Sequence, residues 1–438
     1  MKFGVWVLVG MAILLSVGVL GSEKSVSAQV ATDPVFVGAG DIASCTSTGD
    51  EATAKLLDTI PGTVYTTGDN AYESGTASEF ENCYAPSWGR PTIEERTYPT
   101  LGNHEYYSTA NADGYFGYFG AGRVSYDAST KGYYSYNLGE WHVVALNSMC
   151  EKVGGCDATS PMVTWLKQDL AANPRTCTLA YFHHPLFGSG NVSGGSSKMK
   201  LSWEVLYAAN ADVVLNGHNH NYQRFAPQTP SGEADPVQGI REFVVGTGGR
   251  SLNTFKTTVA NTEVRNANTY GVLKLTLHPT SYDWEFVPVA GQTFTDSGSD
   301  NCDPDGTTPT DPVPGPPKVI STSPANGATQ VAPTADVSAT FSEAMDASST
   351  DGDPSTITAT TFKLVRLNSD GTTTRVTATV SYDDATNKAI LNPSSDLSSG
   401  RTYKATVTTG AEDLFGNALD QNSTKVGNQS KSWKFTVQ

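Results

Sequence analysis

The sequence predicts a layered α/β domain followed by an all-β domain. Between about residues 34 and 289, short apolar runs typical of buried strands alternate with Gly-rich breaks and a few helix-like stretches. Strands that alternate with helices indicate an α/β domain with much parallel sheet. Beyond residue 316 the chain is rich in Thr, Val and Ser and has almost no helical periodicity, a composition typical of a β-sandwich. The length of 438 residues also favours two domains, since single cores rarely exceed about 300 residues.

Six apolar runs in the first region have the length and composition of buried strands. They are residues 35–40, 63–67, 142–147, 178–182, 212–216 and 243–248. Three stretches between them place apolar residues at helical spacing, namely 52–60, 163–173 and 202–210. In open α/β sheets, functional side chains collect in the loops after the carboxyl ends of the strands. We therefore expect the functional residues in those loops.

The first 28 residues have the pattern of a secretory signal peptide. A lysine precedes a long apolar run, and Val26-Ser27-Ala28 supplies the small residues of a cleavage site. This pattern predicts a secreted protein, either extracellular or periplasmic. The alternative is an uncleaved N-terminal anchor, because the apolar run approaches spanning length.

Six cysteines and a strong negative charge indicate which bonds and partners the chain can have. The even cysteine number predicts disulfides, and the lack of a CxxC pair argues against a zinc site. Sequence proximity and elimination favour Cys45–Cys83, Cys150–Cys156 and Cys177–Cys302. The net charge of −16 argues against nucleic acid as a standing partner, which needs a basic face. An anionic substrate would need local cations to attract it.

Asp, Asn and His residues recur in short motifs that follow strand-like runs. Five of the seven histidines lie in GNHE (102–105), FHHP (182–185) and GHNH (217–220). Gly-Asp pairs occur at 40–41 and 68–69. One such pair is usually only a turn, but five motifs in this order predict a common site. Extended residues two apart face the same way, so His218 and His220 are expected to point into it.

The number of candidate ligands predicts two metal ions. Oxygen and imidazole donors come from Asp41, Asp69, Asn103, His183, His218 and His220. They are too many for one catalytic ion that must keep an open position. If Asp69 is shared, they suit two ions about 3.5–4 Å apart. Such mixed ligands suit zinc, iron or manganese.

The motif set resembles that of the calcineurin-like metallophosphoesterases. The matching pieces are GD (40–41), GDxxY (68–72), GNHE, AYFH (180–183) and GHNH. The tyrosine of GDxxY makes the set similar to the purple acid phosphatases. The resemblance covers about residues 33–295 and implies a four-layer α/β/β/α sandwich. It implies one ion, generally ferric, on Asp41, Asp69, Tyr72 and His220, and a second, generally zinc, manganese or ferrous iron, on Asp69, Asn103, His183 and His218.

Two departures from the family pattern concern the first motif and the substrate contacts. The usual glycine two places after Asp41 is replaced by Ala43. The histidine pair that helps plant purple acid phosphatases to bind substrate has no counterpart between His184 and His218. His184 either takes over substrate binding or supports His183.

The expected activity is hydrolysis of phosphate monoesters, acting on small phosphorylated substrates. A hydroxide activated by the two cations would attack phosphorus. His104 is expected to bind the phosphate and protonate the leaving group, and Glu105 to orient His104. Two alternatives stay open: a phosphodiesterase or nucleotidase with the same centre, and a non-catalytic surface-binding protein.

The remaining segments are predicted to be structural or adhesive. Residues 246–251 (GTGGRS) lack the lysine of a P-loop and predict a strand-ending turn. Residues 296–316 are rich in Asp, Pro, Gly and Thr, which predicts a linker. Residues 317–438 resemble bacterial Ig-like domains in 323–349, 397–419 and 433–437. Such modules space, attach or bind, so we expect contact with a cell surface or matrix and no catalytic role.

Overall fold

The computed structural model describes Met1, Gly4 and residues 33–120, 131–190, 194–302, 316–346, 355–383, 386–413, 417–422, 425 and 427–438. The predicted signal peptide, apart from Met1 and Gly4, and residues 303–315 of the predicted linker lie outside the described residues. Among the described residues, no helix has both the length and the apolar character needed to cross a membrane.

Strands and helices alternate through the first part of the chain. Its described strands are β1 (Val35–Ala39), β2 (Ala43–Ser44), β3 (Thr63–Thr66), β4 (Ala71–Tyr72), β5 (Thr97–Pro99), β6 (Tyr134–Leu138), β7 (Trp141–Ala145), β8 (Cys177–Tyr181), β9 (Val213–Asn216), β10 (Tyr222–Phe225), β11 (Arg241–Val245), β12 (Thr262–Asn266), β13 (Gly271–Leu277), β14 (Ser281–Pro288) and β15 (Ser297–Asn301). Its described α-helices are α1 (Gly49–Thr59), α2 (Ala77–Glu79), α3 (Pro91–Glu94), α4 (Asp113–Phe119), α5 (Pro161–Ala172) and α6 (Lys200–Ala208). A π-helical turn spans Phe80–Tyr84, and 3₁₀ turns span His104–Tyr106, Cys150–Lys152 and Ser197–Met199.

Two mixed sheets form this part of the fold. The first has the order β15-β14-β13-β1-β3-β5, with β1, β3 and β5 parallel. The second has the order β12-β10-β11-β9-β8-β7-β6, with β11, β9, β8 and β7 parallel. The six predicted runs correspond to β1, β3, β7, β8, β9 and β11, and all six lie in these parallel segments. The three predicted helices correspond to α1, α5 and α6.

Side chains on the two faces of the second sheet enter different apolar clusters. Val143 and Leu179 join the cluster shared with the first sheet, whereas their neighbours Val144 and Ala180 join the cluster that contains residues of α5 and α6. A sheet buried on both faces needs apolar residues at every position, which is why these strands are continuous apolar runs. Residues of α1 belong to the cluster of the first sheet. The layers are therefore α/β/β/α.

The start of the predicted linker is a strand instead. Residues 297–301 form β15, which pairs antiparallel with β14. Gly298 is needed there, because a Cβ atom would lie 2.4 Å from the Trp284 ring. Arg241 forms an ion pair with Asp300 at 2.8 Å. Composition did not predict this edge strand, because the strand has no apolar pattern of its own. Contacts with residues distant in sequence hold it in place.

The described residues from 316 onward form strands in two further sheets. The strands are β16 (Val319–Ser323), β17 (Ala328–Val331), β18 (Val337–Phe341), β19 (Phe362–Leu367), β20 (Thr373–Arg375), β21 (Ala378–Asp383), β22 (Lys388–Pro393), β23 (Thr402–Val407) and β24 (Lys431–Val437). The sheet orders are β16-β18-β22-β21 and β17-β24-β23-β19-β20. Both sheets contribute to one apolar core, including Phe341, Phe362 and Trp433, as in an Ig-like sandwich.

The three predicted disulfides are confirmed. Cys45–Cys83, Cys150–Cys156 and Cys177–Cys302 are bonded, with sequence separations of 38, 6 and 125 residues. The third bond joins the start of β8 in the second sheet to the residue after β15 in the first. It therefore connects the two sheets covalently.

We predict that the Cys177→Ser/Cys302→Ser double variant loses about 3–5 kcal/mol of unfolding free energy, because the bond closes a long loop in the unfolded chain. The Cys150→Ser/Cys156→Ser variant is the matched control and should lose about 2 kcal/mol, since its loop is short. Urea unfolding of both variants measures the difference. Equal losses would contradict the loop-closure explanation.

Candidate metal centre

The predicted site residues follow the carboxyl ends of parallel strands in both sheets. Asp41 comes after β1, Asp69 after β3 and Asn103 after β5 in the first sheet. His183 comes after β8, and His218 and His220 come after β9, in the second. The structure brings these six residues and Tyr72 together at one end of the sandwich.

The short strands β2 and β4 keep the first two motif loops side by side. They pair in parallel, with Ala43 opposite Ala71 and Ser44 opposite Tyr72. This pairing places Tyr72 next to Asp41. The Tyr72 hydroxyl donates a hydrogen bond to the Asp41 carboxylate at 2.8 Å. Ala43, which replaces the family's glycine, is buried in β2 and leaves Asp41 in place.

Three of the candidate ligands have left-handed backbones. The φ angles are 58° at Asp41, 52° at Asp69 and 67° at His218. Non-glycine residues rarely adopt this region, and they remain there only when the surrounding contacts hold them. The contacts here include hydrogen bonds from the His218 N–H to Asp41 at 2.8 Å and from the His104 N–H to Asp69 at 2.9 Å. The site is thus held in a conformation that the turns alone would not favour.

Donor atoms of one group converge around the Tyr72 hydroxyl. The hydroxyl lies 2.8 Å from Asp41 Oδ1, 3.0 Å from Asp69 Oδ2 and 3.3 Å from His220 Nε2. His220 Nε2 is also 3.3 Å from Asp41 Oδ1. These four residues are the set that the family resemblance implied for the first ion.

A second group converges around His183. Its Nε2 lies 3.2 Å from Asp69 Oδ2, 3.2 Å from Asn103 Oδ1 and 3.1 Å from His218 Nδ1. Donor atoms of Asp69, His183 and His218 lie within 4.8 Å of one another, close enough to hold one ion. These residues are the set that the resemblance implied for the second ion.

Protons on neighbouring side chains compensate for the charge of two buried carboxylates. Burial tends to raise the pKa of Asp41 and of Asp69, but His220 lowers the first and His183 the second, so that both are below their usual value. Burial alone would lower the pKa of His183, yet Asp69 and Asp41 raise it to about 9. Burial and both carboxylates raise the pKa of the Tyr72 phenol well above 10.0. Cations would replace these protons, so metal binding should release them.

Backbone carbonyls orient two of the histidines. His183 Nδ1 lies 2.8 Å from the carbonyl oxygen of Thr67, and His220 Nδ1 lies 2.8 Å from that of Ser251. A carbonyl only accepts, so both Nδ1 atoms carry the hydrogen. Each Nε2 then points to the centre, where its lone pair can bind a metal ion once the Nε2 proton is released.

Glu105 does not orient His104 as the sequence suggested. Its buried carboxylate accepts hydrogen bonds from the N–H groups of Asp69 at 3.1 Å, Asn70 at 2.6 Å and Gly102 at 2.6 Å. It therefore fixes the turns that carry the candidate ligands. His104 is held instead by the carbonyl oxygen of Glu73, 2.6 Å from its Nδ1.

His104 lies at the mouth of the centre and His184 beneath it. His104 Nε2 is 3.8 Å from Asp69 Oδ2, and the side chain is 20% exposed. His184 is buried, with Nδ1 2.8 Å from the Ser148 hydroxyl and its ring 4.2 Å from that of His218. These contacts favour a supporting role for His184 over substrate binding. Its ring packs on His218 more closely than on His183.

Sequence reasoning missed several residues around the site. Ser148 and the Glu73 carbonyl carry no motif signal, since their roles depend on contacts across the fold.

Among the aromatic residues of 106–119, Tyr106, Tyr115 and Phe119 are buried. Tyr107 is 61% exposed, and its hydroxyl accepts a hydrogen bond from Asn103.

A two-sheet α/β/β/α sandwich with Asp, Asn, His and Tyr donors at its strand ends defines a metallophosphoesterase-type domain. Comparison with protein families agrees. Residues 35–222 match the model of the calcineurin-like phosphoesterases, and residues 314–437 match that of a bacterial Ig-like domain. The chain thus carries a calcineurin-like phosphoesterase domain, similar to the purple acid phosphatases, followed by a bacterial Ig-like domain.

Individual relatives are purple acid phosphatases. Purple acid phosphatase 15 of Arabidopsis thaliana is 28% identical over 243 residues, 48% of this chain and 44% of that protein. Purple acid phosphatase 18 of the same plant is 30% identical over 159 residues, 34% of this chain and 35% of that protein. These matches span less than half of either relative. The structure of purple acid phosphatase PPD1 from yellow lupin (Lupinus luteus) shares the fold, with a TM-score of 0.51 and 18% identity over 61% of this chain and 53% of that chain.

We predict that Glu105→Gln weakens metal binding about 10- to 100-fold, because the amide places N–H groups against backbone N–H groups and loosens the ligand turns. Asp235→Asn is the matched control. Its carboxylate accepts backbone N–H groups of Val237 and Gln238 in the loop between β10 and β11, which lies outside the centre. Metal titration of both variants, with circular dichroism to verify folding, measures the effect. Equal metal affinity in the two variants would contradict the role given to Glu105.

Proposed function

We propose that this chain is a secreted phosphoesterase with a dinuclear centre that hydrolyses phosphate monoesters. The observation that carries the proposal is the position of Asp69 Oδ2. It lies 3.0 Å from the Tyr72 hydroxyl of one ligand group and 3.2 Å from His183 Nε2 of the other. One carboxylate oxygen between two complete ligand groups is the arrangement that a bridged pair of ions requires.

The donor set fits two different ions. The first group offers two carboxylates, a phenol and an imidazole, a mainly hard oxygen set that suits ferric iron. The second offers the shared carboxylate, an amide oxygen and two imidazoles, which suit zinc, manganese or ferrous iron. Asp41, Asp69, Tyr72 and His220 would hold the first ion, and Asp69, Asn103, His183 and His218 the second.

When bound, two such ions polarise a phosphoryl group and lower the pKa of coordinated water. The protein contributes a proton donor at the mouth of the centre. Because the Glu73 carbonyl accepts from His104 Nδ1, the Nε2 atom is left to take up a proton and to deliver it. This atom faces the centre, since its distance from Asp69 Oδ2 is 3.8 Å. His104 is therefore placed to protonate the leaving oxygen.

The flanking segments support export and attachment. The signal-like pattern of residues 1–28 and three disulfides suit an oxidising compartment outside the cytoplasm. We place the phosphoesterase domain at 33–302, since β15 belongs to its first sheet and Cys302 is bonded to Cys177, and the Ig-like domain at 317–438. The Ig-like domain has its own apolar core and contains no candidate ligand, so it would contact a cell surface or matrix.

We predict that the purified, metal-loaded protein hydrolyses phosphate monoesters faster than diesters or nucleotides, in a panel run across pH and metal ions. His104→Ala should lower kcat for monoesters about 10²-fold or more and keep its metal ions, because His104 donates a proton and no metal ligand. Esters with activated leaving groups should be affected less.

His278→Ala is the control for this test. His278 follows β13 near the start of β1, where it is paired with Asp33 and Asp283, at the opposite end of the first sheet. It should keep full activity. A His104→Ala protein with fewer metal ions than the wild type would refute the role of proton donor, and a wild type that prefers diesters would favour the alternative substrate class.

We also predict that iron-loaded protein is purple or pink, because a phenolate bound to ferric iron absorbs visible light by charge transfer. Tyr72→Phe should lose this band and keep some hydrolysis, since Asp41, Asp69 and His220 still hold the ion. Visible spectroscopy at equal iron content measures the difference. An iron-loaded wild type without the band, or a Tyr72→Phe protein that keeps it, would show that Tyr72 is only a packing residue.

A further inference from the structure

The GTGGRS loop after β11 is attached to the candidate ligand loops. Gly248 N–H donates to the Gly40 carbonyl at 2.9 Å, and Arg250 N–H donates to the Asp41 carbonyl at 2.8 Å. The Ser251 carbonyl accepts from His220 Nδ1 at 2.8 Å. The loop is a strand-ending turn, as predicted, but its backbone is fixed on both sides of Arg250 by residues of the centre.

The side chain of Arg250 lies over the first ligand group. Its guanidinium carbon is 5.1 Å from the centre of the Tyr72 ring. Its Nη2 atom is 2.7 Å from Glu73 Oε1, and the two side chains are 24% and 58% exposed. The guanidinium is therefore positioned at the rim of the centre and remains accessible from solvent.

Such a cation would assist the binding of an anionic substrate. The chain has a net charge of −16, and the centre itself contains the buried carboxylates of Asp41, Asp69 and Glu105. The ligands Asp41, Asp69 and Tyr72 would offset part of the positive charge of bound ions. Guanidinium presents paired N–H groups that match two phosphate oxygens. The present partner of Arg250 is exposed, and exposed ion pairs are weak, so a doubly charged phosphate can displace Glu73.

We propose that Arg250 binds a phosphoryl oxygen of the substrate, and that Glu73 holds the guanidinium when no substrate is bound. This inference rests on the proposed function and adds a substrate-binding residue that no catalytic motif includes. It also accounts for substrate contact in a chain without the histidine pair expected between His184 and His218.

The test measures binding of inorganic phosphate to metal-loaded protein by calorimetry, together with KM and kcat for an aryl phosphate. Arg250→Gln should raise the Kd for phosphate and the KM roughly 10- to 100-fold, with a smaller change in kcat, because a charge-assisted hydrogen bond is lost. Arg250→Lys should give Kd and KM values between those of the wild type and of Arg250→Gln, since lysine keeps the charge but lacks the paired N–H groups of guanidinium. Glu73→Gln should lower both Kd and KM, because the competing carboxylate is gone while the carbonyl that holds His104 remains.

Arg175→Gln is the matched control. Arg175 also pairs with an exposed glutamate, Glu140, at 3.6 Å, but next to the amino ends of β7 and β8, opposite the centre. It should bind phosphate as the wild type does. An unchanged phosphate Kd in Arg250→Gln overturns the inference, and so does loss of metal from that variant, which would show that Arg250 supports Tyr72. A wild type that hydrolyses no ester, yet binds phosphate through Arg250, would refute the proposed function and keep this inference.

Discussion

The Asp69 carboxylate lies between two groups of buried donor atoms, and the geometry of the site depends on holding it there. Its backbone is left-handed, with a φ of 52°, and Glu105 accepts the N–H groups on that turn and on the neighbouring Gly102 loop. The other oxygen of Asp69 accepts the His104 N–H at 2.9 Å. Each contact removes a freedom that the turn would otherwise have. Backbone hydrogen bonds thus place this carboxylate between the two donor groups.

The sandwich supplies the second condition, which is that two sheets end at the same place. Candidate ligands that follow β1, β3 and β5 belong to one sheet, and those that follow β8 and β9 belong to the other. Their distances depend on the apolar cluster between the sheets, where Phe36 and Tyr65 of the first sheet pack with Tyr181 of the second. Packing in such a core tolerates little displacement. A rigid core therefore sets the spacing of ligands that come from distant parts of the chain.

Charge is distributed unevenly between the centre and its surroundings. Buried carboxylates attract protons or cations into the centre. The pKa of His183 is an example, because Asp69 raises it although burial would lower it. The protein as a whole is strongly acidic and repels anions. Arg250 and His104 are the cationic or proton-carrying side chains that we assign to the rim, where substrate and solvent meet. Selectivity for a phosphate ester would then depend on a few local groups working against the overall field.

The sequence by itself determined the six strands of the parallel segments, three of the helices and the candidate ligands, and it favoured the disulfide pairs by proximity and elimination. Those features depend on local periodicity, cysteine number and motifs at strand ends, which consecutive residues encode. Only the tertiary structure decided that 297–301 form a strand, that Glu105 holds the Asp69 turn and not His104, and that Arg250 lies over Tyr72. Each of these depends on a partner far away in sequence, such as Arg241 for Asp300 or Glu73 for His104. Such pairings carry no local pattern, because contacts between separate strand-end loops and between the two sheets create them.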